Sequence, residues 1–264
     1  MGPTDDPLLA TSPSEVPLPK APLIRVIAQI RFPLVAAMGQ QEFVAPFQKA
    51  IGSRYPVLRQ EQMHALVFGL PGPGQMPFQT VWRFSDVESV WRVSLAPDFL
   101  ALETTSYTNR ADLLSRFAEV SSSLAEHVAP KVVDRLGVRY IDRLVGDAVT
   151  DIAKLVRPEV CGVAGTSLRT HVVHSITESI FKADSTQLLA RWGSLPAGAT
   201  VDPSAIEPIN EPSWILDLDM FNVSPVPFSN ERLLKDLAHF SERLYTFFRW
   251  AVTDEFLRRY GGSV

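Results

Sequence analysis

The chain has 264 residues, of which 46% are hydrophobic and 20% charged, and its formal net charge is −4 at pH 7. That length can bury the core of one large domain or two closely packed ones, and the composition excludes a disordered or collagen-like chain. Lysine and arginine form no stripe, and the charges divide evenly between the first 130 residues and the rest, so nucleic acid is not an expected partner.

Cys161 is the single cysteine, which rules out an intrachain disulfide scaffold. The opening residues, MGPTDDPLLATSPSEVPLPK, have neither a positive start nor an apolar stretch, and no apolar run approaches the roughly 20 residues that span a bilayer. A cytoplasmic location without membrane contact is expected. Residues 1–22 hold Pro3, Pro7, Pro13, Pro17, Pro19 and Pro22. They read as a disordered or extended arm.

From Leu23 the alternation of Ile24, Val26, Ala28, Ile30 and Phe32 predicts a strand that Pro33 ends. Phe43, Phe47, Ala50 and Ile51 at helical spacing predict a short helix over 42–53, with Pro46 near its start. Strands are expected over 64–70, 79–84, 89–95 and 99–105, the last three forming a meander closed by short turns. Asn109 then stands where an N-cap belongs, and Leu113, Leu114, Phe117, Val120, Leu124 and Val128 make the stripe of a helix running to Pro130.

The second half repeats this plan. A strand over 136–143 precedes a helical segment near 150–156, strands over 167–183, 187–192 and 214–221, and a long helix capped at Ser229 or Asn230. The stripe of that helix, from Leu233 to Phe256, ends at the stop Gly261-Gly262. "AQIRFP" answers "LGVRYI", matching Ile30, Arg31 and Phe32 with Val138, Arg139 and Tyr140, and "FLALETTSY" answers "WILDLDMFN". The expected fold is therefore α+β, with two similar halves, 23–130 and 131–264, each a mostly antiparallel sheet against a long helix, related by an internal duplication.

"LGVRYIDRL", Leu136–Leu144, carries two arginines and an aspartate inside an otherwise apolar strand. Strand alternation puts Leu136, Val138 and Tyr140 on one face and Arg139, Ile141 and Arg143 on the other. The arginine face is either solvated or a place where guanidinium meets acid. Glu103, Asp217 and Asp219, on the strands preceding the two long helices, are the candidate acids. Arg31 and Arg139 are the candidate cations. A cross-strand ion pair explains the charges without a ligand; a polar groove for an anion or a partner's acidic surface is the functional alternative.

These stretches, "PLIRVIAQIRFP", "WRF", "TTSY", "LGVRYIDRL" and the closing "AHFSERLYTFFRWAVTDEFLRRYG", resemble a family of sporadically distributed prokaryotic proteins with a G-[LV]-R-Y-[IV]-[ND]-R core. The resemblance covers nearly all of the chain after the arm. It implies a structural core of Arg139, Tyr140, Asp142 and Arg143, with Asp142 where Asn is more usual, and supplies no catalytic residue. The patchy distribution of such families suggests an antitoxin or immunity role.

Catalytic and metal chemistry find little purchase. His171 and His174 fall on opposite faces of an expected strand and would not chelate together. Cys161 in "EVCGVAG" fits a small apolar filler, and no G-x-S-x-G elbow occurs. "GLPGPGQMP", 69–77, lacks the Lys-Ser/Thr end of a phosphate loop, and the proline-bearing linker 194–213 is long enough to form a binding rim. No metal or cofactor is expected. The leading expectation is a non-catalytic interaction protein that binds a protein partner, such as a neighbouring gene product, or a second copy of itself. The alternative is a small-molecule binder or enzyme built on Arg31, Arg139, Glu103, Asp217 and Asp219.

Overall fold

A computed structural model describes residues 6–64 and 78–263. Among these the chain is α+β, with a large antiparallel sheet, a two-stranded ribbon and seven α-helices. No described helix is long and apolar enough to cross a membrane. Two compact units are present. One is built from Ile27–Gly137 and Asn222–Leu237, the other from Met1–Val26, Val138–Phe221 and Ala238–Val264. Each unit is thus assembled from separated segments, where contiguous halves were expected.

In the first unit lie most of β1 (Leu23–Arg31), α1 (Gln41–Ile51), β2 (Val57–His64), β3 (Phe78–Ser85), β4 (Trp91–Ala96), β5 (Phe99–Thr104) and α2 (Arg110–His127). The hydrogen-bonded order is β2-β3-β4-β5-β1. The expected meander forms: Trp82 opposes Leu95, and Val93 opposes Leu102. Its buried residues Phe84, Val93, Leu95 and Leu102 form the core with Phe47 of α1, whose ring lies 5.8 Å from that of Phe84. Asn109 caps α2 by accepting from the Asp112 amide at 2.9 Å, and Leu113, Phe117, Val120 and Leu124 are fully buried, as the stripe requires. The strand expected over 64–70 lies almost wholly outside the described residues. The one that precedes it, β2, has no apolar alternation, because pairing with β3 from Val57↔Ser85 to His64↔Phe78 is what specifies it. The ribbon of β6 (Val132–Val133) belongs to this unit.

The second unit takes most of β7 (Arg135–Val145), then α3 (Asp147–Thr150), α4 (Ile152–Leu155), α5 (Pro158–Cys161), β8 (Ser175–Ala183), β9 (Thr186–Leu195) and β10 (Ser213–Asn222). The order here is β7-β10-β9-β8. The strand expected over 167–183 is shorter, because Arg169–His171 form a 3-10 turn and pairing begins only at Ser175. Glycine is obligatory at position 193, where φ is +141° and any Cβ would lie 1.9 Å from the Ser175 carbonyl oxygen.

After β11 (Val226–Pro227), which pairs with β6, comes α6 (Asn230–Ala251) and then α7 (Asp254–Arg259). Ser229 caps α6 through the Arg232 amide at 3.4 Å. The single helix expected through Phe256 is broken at Val252-Thr253. Val252 bridges to Val156, and the Thr253 amide donates to the Leu155 carbonyl at 2.9 Å. The Thr253 hydroxyl also donates to the Lys154 carbonyl and accepts from the Phe256 amide, so it caps the new helix. The Thr253 amide, and the Ala251 carbonyl that accepts from the Arg157 amide at 2.9 Å, have left the helical ladder for a strand-like partner.

Residues 6–22, expected as a disordered or extended arm, run along α6 and α7. Arg243 donates to the Ala10 carbonyl at 2.6 Å, Tyr245 Oη accepts from the Val16 amide at 2.8 Å, and the Lys20 amide reaches the Tyr260 carbonyl at 3.3 Å. Prolines leave such a segment few donors of its own, and the helix side chains supply the bonds it lacks.

Candidate functional site

The arginine face of β7 opens onto a buried ion network in the second unit. Arg139 Nε and Nη2 donate to the two carboxylate oxygens of Asp217 on β10, at 2.7 and 2.8 Å, and Nη1 donates to Asp202 at 2.7 Å. The Asp217 side chain is 2% exposed and that of Arg139 14%. Such a bidentate fork is the geometry in which guanidinium and carboxylate bind most strongly. Arg191 on β9 lies 3.4 Å from Asp217 on its other side and also pairs with Glu178 on β8, directly opposite it in register. Burial alone would lower the Arg139 pKa, but the bonds and charges of Asp217 and Asp202 outweigh it and hold the group above its ordinary value. Burial would raise Asp202; Ser204 and Arg139 together bring it below the usual carboxylate value.

The network's second function is to fix the segment between β9 and β10. Asp202 accepts from both the amide (3.1 Å) and the hydroxyl (2.6 Å) of Ser204, a local turn that aims its other oxygen at Arg139. Arg25 on β1 donates to the carbonyls of Ser204 and Ala205 at 3.2 and 3.0 Å, and Arg143 to that of Glu207 at 2.6 Å. Ala205 and Ile206 are buried beneath this clasp, while Pro203, Ser204, Glu207, Pro208, Asn210 and Glu211 are exposed. Three strand arginines therefore staple the proline-bearing linker to the sheet.

The structure brings Arg139 and Asp217 together and places Asp219, half-buried, two residues along β10 on the same face. Glu103 is held by Arg92, its register partner across β4 and β5 in the first unit. Arg31 is exposed at the end of β1. Asp202, Arg191 and Arg25 are the members that sequence reasoning missed. "VDPS" was the available signal, since an Asp before Pro and Ser favours a turn whose carboxylate can be aimed.

His171 lies in the 3-10 turn, Cys161 is buried at the end of α5 with its thiol pKa pushed up by that burial, and no three metal-ligating side chains cluster among the described residues. Chemically, the Arg139 network is a clamp: each guanidinium nitrogen of Arg139 already faces a carboxylate of the same chain. No protein-family model matches the chain, and no curated protein does.

Proposed function

We propose that the chain acts in the cytosol by binding another protein, without a chemical step of its own. The observation that carries this reading is the stapled 196–212 loop. Long loops without secondary structure are uncommon in compact folds unless they are functional, and one already fixed by Arg25, Arg139 and Arg143 has little ordering entropy left to lose when a partner docks. Its outer rim presents Glu207, Asn210 and Glu211 to solvent, which suits a basic surface on the partner. A small anionic ligand is less well supported, because Asp217 and Asp202 already occupy Arg139.

The sporadic family that the sequence resembles suggests an antitoxin or immunity relationship with a neighbouring gene product. Co-expression with that product is expected to give a stoichiometric complex, weakened by Glu207→Lys with Glu211→Lys and increasingly weak as salt is raised. A neighbour that does not co-purify, or that binds the doubly substituted chain as tightly, sinks this reading.

We propose too that the chain arose by duplication. β5 and β10, the strands leading into α2 and α6, flank β1 and β7 respectively, and each meander extends outward from there. Profiles built separately from relatives of 23–130 and 131–264 should align Arg31 with Arg139. Profiles that align no better than unrelated α+β segments remove the duplication.

A further inference from the structure

At the rim of the second unit, the only hydrogen-bonded neighbour of β8 among the described residues is β9. Nine consecutive pairs, from Ser175↔Ser194 to Ala183↔Thr186, run without a bulge. Protein sheets ordinarily blunt an edge of that length with proline, bulges or several lysines. The β8 sequence, SITESIFKA, has no proline and one lysine. At its centre Ile180 is 61% exposed, and Glu178 and Lys182, both exposed, lie two residues to either side on the same face. Phe181 turns the other way, with its ring 5.6 Å from that of Phe247 on α6. The face holding Ile180 is therefore not the one that packs on the helix.

We infer that β8 is a self-pairing edge, onto which a second copy of this chain adds its own β8 antiparallel about a two-fold axis at Ile180. Directly opposed residues in an antiparallel pair share a face, so a two-fold arrangement must centre on one residue and match those equally far on either side. Centring on Ile180 sets that exposed side chain against its counterpart and places Glu178 opposite Lys182 of the other copy, twice by symmetry. Centring on Glu178 or Lys182 would set like charges together, and centring on Ser179 or Phe181 would leave neither charge opposite its complement. Glu178 keeps its intrachain partner Arg191, yet its side chain remains 54% exposed and has a second oxygen to offer. The edge strand of the first unit, β2, has Arg59, Gln60, Glu61 and Gln62 at its middle and no exposed apolar centre to bury.

The test is sedimentation of the full chain over a range of concentration. The native sequence should form dimers. Lys182→Glu creates two glutamate pairs across the axis and Glu178→Lys two lysine pairs, and each should weaken dimerisation roughly tenfold or more. Mixing the two single variants restores both opposed pairs and should yield a heterodimer. A native chain that stays monomeric at every concentration reached overturns the inference, as does a Lys182→Glu chain that dimerises like the native one or a mixture that stays monomeric. Should Glu178→Lys lose its fold along with the Arg191 pair, judged by circular dichroism, Ile180→Lys alters only the exposed centre. Unchanged dimerisation of that variant overturns the inference equally.

Discussion

Replacing Arg139 with alanine is expected to destabilise the chain by about 3–5 kcal/mol, because it leaves the buried Asp217 carboxylate without its bidentate partner. A surface ion pair would be worth under about 1 kcal/mol, so the size of the loss distinguishes the two situations. Arg191 offers partial relief from 3.4 Å on the other side of Asp217, which argues for the lower part of the range. Chemical denaturation measures the effect. The double variant Arg139→Met, Asp217→Leu should recover much of the loss, since apolar groups of similar volume replace the pair without stranding a charge. The single variant also frees Asp202, so limited proteolysis should cut the 196–212 segment faster, even under conditions where the rest of the chain stays folded. A loss below about 1 kcal/mol with unchanged proteolysis would mean that the network is neither buried in effect nor the clasp of the loop.

What the residues alone reveal follows from how local their signals are. The meander 79–105 and helix α2 were readable because alternation, turn residues and the Asn109 cap lie within a few positions of one another. β2 carried no signal to read, because an edge strand facing solvent needs no apolar period; its register with β3 comes from the partner strand. The break at Val252-Thr253 was invisible for the same reason, since the competing carbonyl belongs to Leu155, far back in the chain. The arm, too, is ordered by Arg243 and Tyr245, more than 200 positions away. At the site, alternation put Arg139 on a face left open between solvent and acid, and Asp217, one of the candidate acids, is its partner. It gave no means of choosing Asp202 from a loop, and the similar surroundings of Arg31 in "AQIRFP" and Arg139 in "LGVRYI" said nothing of their different exposure.

A second effect is expected on the other face of β7, where Asp142 is 6% exposed. Strand alternation turns it away from Arg139 and Arg143, and burial raises its pKa from 3.8 to about 7 with no cation offsetting it. Tyr260, itself raised chiefly by burial, feels the charge of Asp142 as well. In the unfolded chain Asp142 releases its proton near 3.8, whereas the folded chain holds it until about pH 7. Between those values the folded state binds more protons, so this residue's contribution to stability falls as pH rises from about 4 to about 7 and is constant above. The full span, about 3 pH units, sets an upper bound of about 4 kcal/mol. Asp142→Asn removes the ionisation while keeping the shape. Denaturation near pH 4 should find the two chains close in stability, and at pH 8 the asparagine chain should be the more stable by a few kcal/mol. Taking the difference between the chains at each pH cancels the carboxylates they share. A difference that does not grow between pH 4 and pH 8 would show that Asp142 ionises in the fold as freely as it does in water, with its charge met by groups that its burial does not reveal.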